Sequence, residues 1–310
     1  MQAAISVNRV LKLMGNRFEF TVIADSDAIG NEAIDAAVAE VQRIEALLTT
    51  FNNGSQTSLI NDCAGVQPVA VDAEVINLIE RSIKISEITD GAFDITYGSI
   101  DKKLWNFDKT MTSLPDEATA LAAVALIDYK NVLIDKQSNT VFLKNIGMRI
   151  GFGGIGKGYA ADRAKIVLRK MGIESGIVNA AGDLITWGLQ PNGKPWTVGI
   201  ADPEQTNRPF SSLKISDMAI ATSGDYEKFI TIGGKRYSHT IDPKTGLPVS
   251  GVKSVSIICP SAELADALAT PVVVMGVKVG LELINQIKHV ACIIVDDDDR
   301  VYTSNNINVI

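Results

Sequence analysis

Arg149-Ile-Gly151-Phe-Gly153-Gly154-Ile-Gly156-Lys157-Gly158-Tyr-Ala-Ala-Asp162 is the stretch from which the rest of the chain is best read. Upstream, Thr140 to Leu143 is β-rich; downstream, Tyr159 to Met171 repeats apolar residues at helical spacing. A glycine loop leading into a helix lets backbone amides approach an anion, and the helix N-terminus adds positive potential. Gly151, Gly153 and Gly156 match the spacing of a dinucleotide fingerprint, with Glu174 as a possible ribose acid. That fold opens with its motif, whereas here the motif falls mid-chain. A phosphate-binding P-loop is excluded, because Gly158 stands where the magnesium-holding Ser or Thr is needed. The plain alternative is a tight turn that packs a helix on a sheet. The density of glycines favours a ligand-binding loop.

With 310 residues, 46% of them hydrophobic, the chain can bury one large core or two modest ones. A net charge of −7 without basic runs argues against nucleic acid as partner, and scattered Lys and Arg argue against a membrane-surface patch. Cys63, Cys259 and Cys292 show no metal spacing, and the last two sit in apolar β-like runs as buried thiols. Met1 to Leu13 lacks the layout of a signal peptide, and no apolar stretch reaches membrane-spanning length. The expected location is therefore cytoplasmic. Removal of a leader from a periplasmic or membrane-anchored lipoprotein would leave the same sequence.

Read in order, Ile5–Met14 and Arg17–Ala24 form a hairpin about Gly15-Asn16. A helix capped at Asp25–Asp27 runs to about Leu48 with Ile34, Val38, Val41, Ile44 and Leu48 on one face. Thr49 to Asp62 reads as a polar loop, and Asp72 to Thr89 as a helix ending before Gly91. Pro115 starts an Ala-rich helix to about Leu126, followed by short strands at Asn131–Ile134 and Thr140–Leu143. Gly176 to Trp187 is a strand interrupted at Asn179–Asp183. Further strands are expected at Trp196–Ile200, Leu213–Thr222 and Val252–Cys259, with a second hairpin about Gly233-Gly234. Ser261 caps a helix to about Val274, another spans Val277–Ile287, and His289–Val295 is a last buried strand. Asp296 to Asp299 lacks calcium-loop spacing and reads as a solvated turn. With no repeat or linker, the expectation is one interlocked α+β domain over residues 1–310, built of mixed, mainly antiparallel sheets with packed helices.

Three places could carry chemistry. Asp266 and Thr270, four apart on a helix, share one face and could offer two hard oxygens to magnesium; taken alone, a dipole-favoured Asp and a back-bonded Thr explain them better. His239 stands where a strand meets a turn-rich loop, a common position for a general base, or for a hydrogen-bonded turn histidine. Thr222 and Ser223 offer hydroxyls, but no base lies near Ser223 in sequence to make it a nucleophile.

Together these segments resemble the FAD:protein FMN transferases, the ApbE family. The resemblance runs from Leu13 to about Gly276. It is carried by Ser55 with Asn61, Gly91-Ala-Phe-Asp-Ile-Thr96, Leu104-Trp-Asn-Phe107 and Gly153-Gly-Ile-Gly-Lys-Gly-Tyr-Ala-Ala-Asp162. Asn179 with Gly182-Asp183, Thr222-Ser-Gly-Asp-Tyr226, Ser238-His-Thr-Ile-Asp-Pro-Lys-Thr-Gly246 and Ala265-Asp-Ala-Leu-Ala-Thr270 follow in family order. The resemblance implies a magnesium-dependent enzyme that cleaves FAD, attaches FMN to a Thr or Ser of an acceptor flavoprotein and releases AMP. It implies magnesium ligation by Gly154, Asp266 and Thr270. FAD contacts are implied at Met14, Phe51, Ala92, Phe93, Asp94, Gly151, Lys157 and Thr240, with His239 as base.

The chain departs from the family pattern at two positions. Phe51 stands where a Tyr or Trp is usual, which keeps a stacking ring without its polar group. Gly151 stands where an Asp is usual, which removes a carboxylate beside FAD. The same site could instead hydrolyse FAD to FMN and AMP, or bind flavin without chemistry. A dinucleotide-binding oxidoreductase leaves the His239 and Asp266 segments unexplained.

Overall fold

The computed structural model of the chain describes residues 4–101, 113–201, 209–224 and 229–307. The Leu104–Phe107 segment and Asp225-Tyr226 lie outside these. The chain opens with β1 (Ile5–Leu13), β2 (Asn16–Ala24), α1 (Asp27–Leu48), α2 (Gln56–Asp62), β3 (Val69–Ala70) and α3 (Ala73–Ile88). Then come α4 (Glu117–Val124), β4 (Val132–Asp135), β5 (Thr140–Leu143), α5 (Gly156–Lys170), β6 (Ser175–Ala180) and β7 (Asp183–Trp187). β8 (Trp196–Ala201), β9 (Pro209–Ile215), β10 (Ala219–Gly224), β11 (Phe229–Ile232) and β12 (Lys235–Ser238) follow. β13 (Val252–Cys259), α6 (Ala262–Ile284), β14 (Ala291–Asp296) and β15 (Val301–Thr303) close the described chain.

The first hairpin sets the edge of the main sheet. Leu13 pairs with Asn16, so the two-residue turn is Met14-Gly15 rather than Gly15-Asn16. Both turn residues have positive φ (50° and 73°), which matches the twist of the paired strands. On β2, Phe18, Phe20, Val22 and Ala24 alternate inward, and β2 continues the sheet by pairing with β6. The sheet has eight strands in the order β1-β2-β6-β7-β10-β13-β14-β15, every pairing antiparallel. Helices α1, α5 and α6 pack against one face. The opposite face carries a smaller apolar cluster of Leu184, Val198, Ile215, Ile220, Ile258, Ala291 and Ile293, to which the β8–β9 ribbon contributes. With both faces covered, β7 and β13 are buried along their whole length. Burial of each large aliphatic side chain there contributes about 1.5–3 kcal/mol.

Three further readings are corrected. The Thr49–Asp62 segment contains α2, because Ser55 Oγ accepts from the Ser58 amide at 3.0 Å and caps it. The Leu213–Thr222 run is two strands, broken at Asp217 (φ 56°), and they enter different sheets. Pro115 lies outside α4, whose cap is Asp116. Helix α6, 23 residues with Glu263, Asp266, Lys278 and Glu282 among them, matches a membrane span by length and composition only. In this fold it is a core helix on β10 and β13, kinked at Gly276 where the predicted pair of helices meet. The Asp296–Asp299 acids form the turn between β14 and β15, with Asp296 Oδ1 accepting from the Asp298 and Arg300 amides. Burial raises the Cys259 and Cys292 thiols to about 12 and about 11, as inert core groups.

Candidate functional site

The loop that carries the glycines is pinned from two sides before it turns into α5. Helix α2 delivers Asn61, whose side chain clamps Ile150 from both sides. Asn61 Nδ2 donates to the Ile150 carbonyl at 3.0 Å, and the Ile150 amide donates to Asn61 Oδ1 at 2.7 Å. Ser99 grips Arg149 in the same way, accepting from its amide at 2.8 Å and donating to its carbonyl at 3.1 Å. The Gly151 amide donates to the Ile95 carbonyl at 3.0 Å. Gly151 and Gly153 therefore present bare backbone, with no atom within 4 Å of where a Cβ would stand.

The α5 N-terminus does face an anion, and that anion belongs to the protein. The Gly158 amide donates to Asp266 Oδ2 at 3.0 Å. Asp266 is only 5% exposed. Burial raises its pKa above the usual carboxylate range, opposed by the nearby Lys157 ammonium and the Gly158 amide. Lys157 is ion-paired to Asp183 and lies 3.7 Å from Asp266 Oδ1. Asp162, one turn further along α5, caps α6: it accepts from Ser261 Oγ at 2.8 Å and from the Ala262 and Glu263 amides at 3.0 Å. That cap fixes where Asp266 and Thr270 fall along α6.

A cavity of about 730 Å³ opens beside these elements. One side is Ala92, Phe93 and Asp94 with the helical turn Ile95–Ser99; another is the loop from Arg149 to Gly154. Thr270 and Ser223 meet on its wall with their hydroxyls 3.3 Å apart. His239 and Thr240, just past β12, complete it. The Tyr97 hydroxyl accepts from the Ile241 amide at 3.3 Å, tying the histidine loop to the first wall. Gly246 closes that loop at φ 70°, where a Cβ would stand 2.0 Å from the Ala120 carbonyl oxygen. Phe51 stands 98% exposed at the cavity, an unpacked ring available to a flat ligand.

The ApbE family pattern matches residues 14–294. The chain belongs to the ApbE family. An FAD:protein FMN transferase of Klebsiella pneumoniae (strain 342) is 31% identical over 99% of this chain and 93% of its own length. One from Treponema pallidum (strain Nichols) is 32% identical, over 87% of this chain and 80% of its own. Among solved structures, the ApbE protein of Thermotoga maritima superposes with a TM-score of 0.85 at 31% identity, covering 97% of both chains. The flavin transferase ApbE from Vibrio cholerae gives 0.82 at 28% identity, over 97% of this chain and 98% of its own.

This ApbE fold brings together most of the residues singled out in the sequence. Phe51, Ala92, Phe93, Asp94, Gly151, Gly154, His239, Thr240 and Thr270 all line the cavity. Met14, Lys157 and Asp266 do not line it. Met14 turns the first hairpin and donates its amide to Glu45 Oε2 at 2.8 Å. The Asp94 carboxylate is committed inward, accepting from Thr96 at both amide (2.7 Å) and hydroxyl (2.6 Å) and from the Tyr129 amide at 3.0 Å. Burial raises its pKa. Ser223, named in the sequence for its hydroxyl, also lines the cavity, whereas sequence reasoning passed over Arg149 and Tyr97 as cavity residues and Asp183 as the partner of Lys157. Arg149 and Asp183 were visible as charges beside glycines, but only the tertiary fold shows what they face.

Proposed function

We propose that the chain is a magnesium-dependent FAD:protein FMN transferase that labels a Ser or Thr of an acceptor flavoprotein and releases AMP. The observation that carries this is the convergence of His239, Thr270, the glycine loop and an exposed aromatic ring on one cavity, in a fold shared with flavin transferases. The volume suits a large ligand, within the usual range of about 300–1,000 Å³ for such pockets. Exposed at the cavity, Phe51 would stack on the isoalloxazine or adenine ring, and the bare backbone of Gly151 and Gly153 leaves room for the nucleotide.

The donor set fits magnesium. Asp266, Thr270 and the Gly154 carbonyl would supply three hard oxygens, leaving positions for water and substrate phosphate. Bound there, magnesium would neutralise the diphosphate and polarise the phosphorus under attack. The protein's own groups do the rest. The acceptor hydroxyl oxygen attacks the phosphorus of the FMN half and forms the new P–O ester bond. The anhydride P–O bond breaks, and AMP leaves with the bridging oxygen. The hydroxyl proton passes to the imidazole of His239, acting as general base. Lys157 contributes positive charge beside the glycine loop.

Incubation with FAD and magnesium, with and without a flavoprotein acceptor, tests the reading by following AMP and protein-bound flavin together. Transfer gives both in equal amounts only when the acceptor is present. AMP without labelled protein means hydrolysis, and intact FAD means binding alone.

A further inference from the structure

Lys157 stands between two buried carboxylates that arrive from different layers of the fold. Its ammonium is paired with Asp183, the first residue of β7, and lies 3.7 Å from Asp266 Oδ1 on α6. Asp183 and Asp266 are 4% and 5% exposed. Two carboxylates so poorly hydrated are tolerated because one cation serves both. Asp183 is also held in place deliberately. The turn before it is pinned by the Gly182 amide donating to Asn179 Oδ1 at 2.8 Å, with Ala181 held at φ 56°, where a non-glycine residue is strained.

We infer that Asp183 is a positioning residue that takes over the whole charge of Lys157 when a divalent cation binds at Asp266; the inference rests on the metal assignment proposed above. A cation on Asp266 and an ammonium so close to the same carboxylate repel each other. With Asp183 present, the ammonium has a second buried carboxylate and gives up Asp266 without losing its counter-charge. Lys157, Asp183 and Asp266 carry a net charge of −1, which a divalent ion converts to +1. Neutralising Asp183 leaves Lys157 with Asp266 alone, and the ammonium then competes with the metal for that carboxylate. Asp183 thus sets metal affinity without touching the metal, as outer partners of ligand groups do elsewhere.

The test is binding of Mn2+ alone, read from the EPR signal of the free ion, on the full-length protein. Asp183→Asn should weaken binding about tenfold or more, within the range found for outer partners of metal ligands. Asp183→Glu, which keeps the charge, should stay within about threefold of the wild type. Adding Lys157→Met to Asp183→Asn removes the competitor and should restore binding to that same level. A packing role for Asp183 predicts the opposite pattern, weakening that persists when Lys157 is removed. Lys157→Met alone needs no change at Asp183 and should bind Mn2+ at least as tightly as the wild type. Equal affinity in wild type and Asp183→Asn overturns the inference, as does a double variant as weak as the single one or weaker binding by Lys157→Met. Asp266→Asn separates this failure from that of the metal assignment: if it binds Mn2+ as tightly as the wild type, Asp266 is not a ligand, and both fall.

Discussion

Gly158 and Asp266 meet where α5 crosses α6. The Gly158 amide donates to Asp266 Oδ2 at 3.0 Å, and a Cβ on Gly158 would stand 2.1 Å from the Ala262 carbonyl oxygen and 2.8 Å from Asp266 Cβ. The residue that excludes a P-loop in the sequence is therefore glycine because two helices touch there. Gly158→Ala must push α6 away from α5, at an expected cost of about 1–3 kcal/mol or more. Urea denaturation checks this: the midpoint should fall, whereas an unchanged midpoint would mean the helices cross elsewhere.

Asp266 is buried, so its replacement has to respect packing. Asp266→Asn keeps an oxygen for the Gly158 amide and removes only the charge. Burial already penalises the charged form, so the metal-free variant should melt no lower than the wild type. Metal-dependent FAD turnover should fall to about a hundredth or less, since a metal held by its one carboxylate ligand supplies several kcal/mol to the transition state. Near-normal turnover by the folded variant would sink the metal assignment.

His239 borders the cavity at the end of β12 and is exposed, so its removal leaves no hole in the core. His239→Ala should slow FMN transfer about a hundredfold or more while FAD binding stays within a few-fold. Single-turnover transfer and a separate FAD titration distinguish the two effects. Unaffected transfer at neutral pH would make His239 a turn residue.

Gly151 lines the cavity without positive φ, and nothing lies within 4 Å of its missing Cβ. A side chain there meets neither strain nor clash. Gly151→Asp should tighten FAD binding about tenfold to a hundredfold, the worth of one hydrogen bond to a charged acceptor. FAD fluorescence titration of both proteins decides it, and equal dissociation constants would show that position 151 does not face the nucleotide.

The sequence made the periodic elements plain: the first hairpin, α1, α3, α5 and the kinked α6 were legible because one apolar stripe or one alternation covers each. What it hid depends on partners far along the chain. Helix α2 has seven mostly polar residues, and it persists through its Ser55 cap and Asn61's grip on Ile150. The break falls at Ser216-Asp217, two turn-forming residues between two short apolar stretches, and the positive φ of Asp217 (56°) shows that the chain turns there. The site residues were legible as types and spacings. That Asp266 is buried under Lys157, and Asp94 committed to Thr96 and Tyr129, follows only from packing.

The central claim is that this cavity moves FMN from FAD onto a protein hydroxyl. Intact-mass measurement of a purified acceptor flavoprotein, after incubation with this protein, FAD and magnesium, tests it most directly. The account predicts the added mass of one FMN, localised by peptide fragmentation to a Ser or Thr, with equimolar AMP and none of either when His239→Ala replaces the wild type in a short incubation. An acceptor of unchanged mass beside consumed FAD would contradict it and leave a hydrolase.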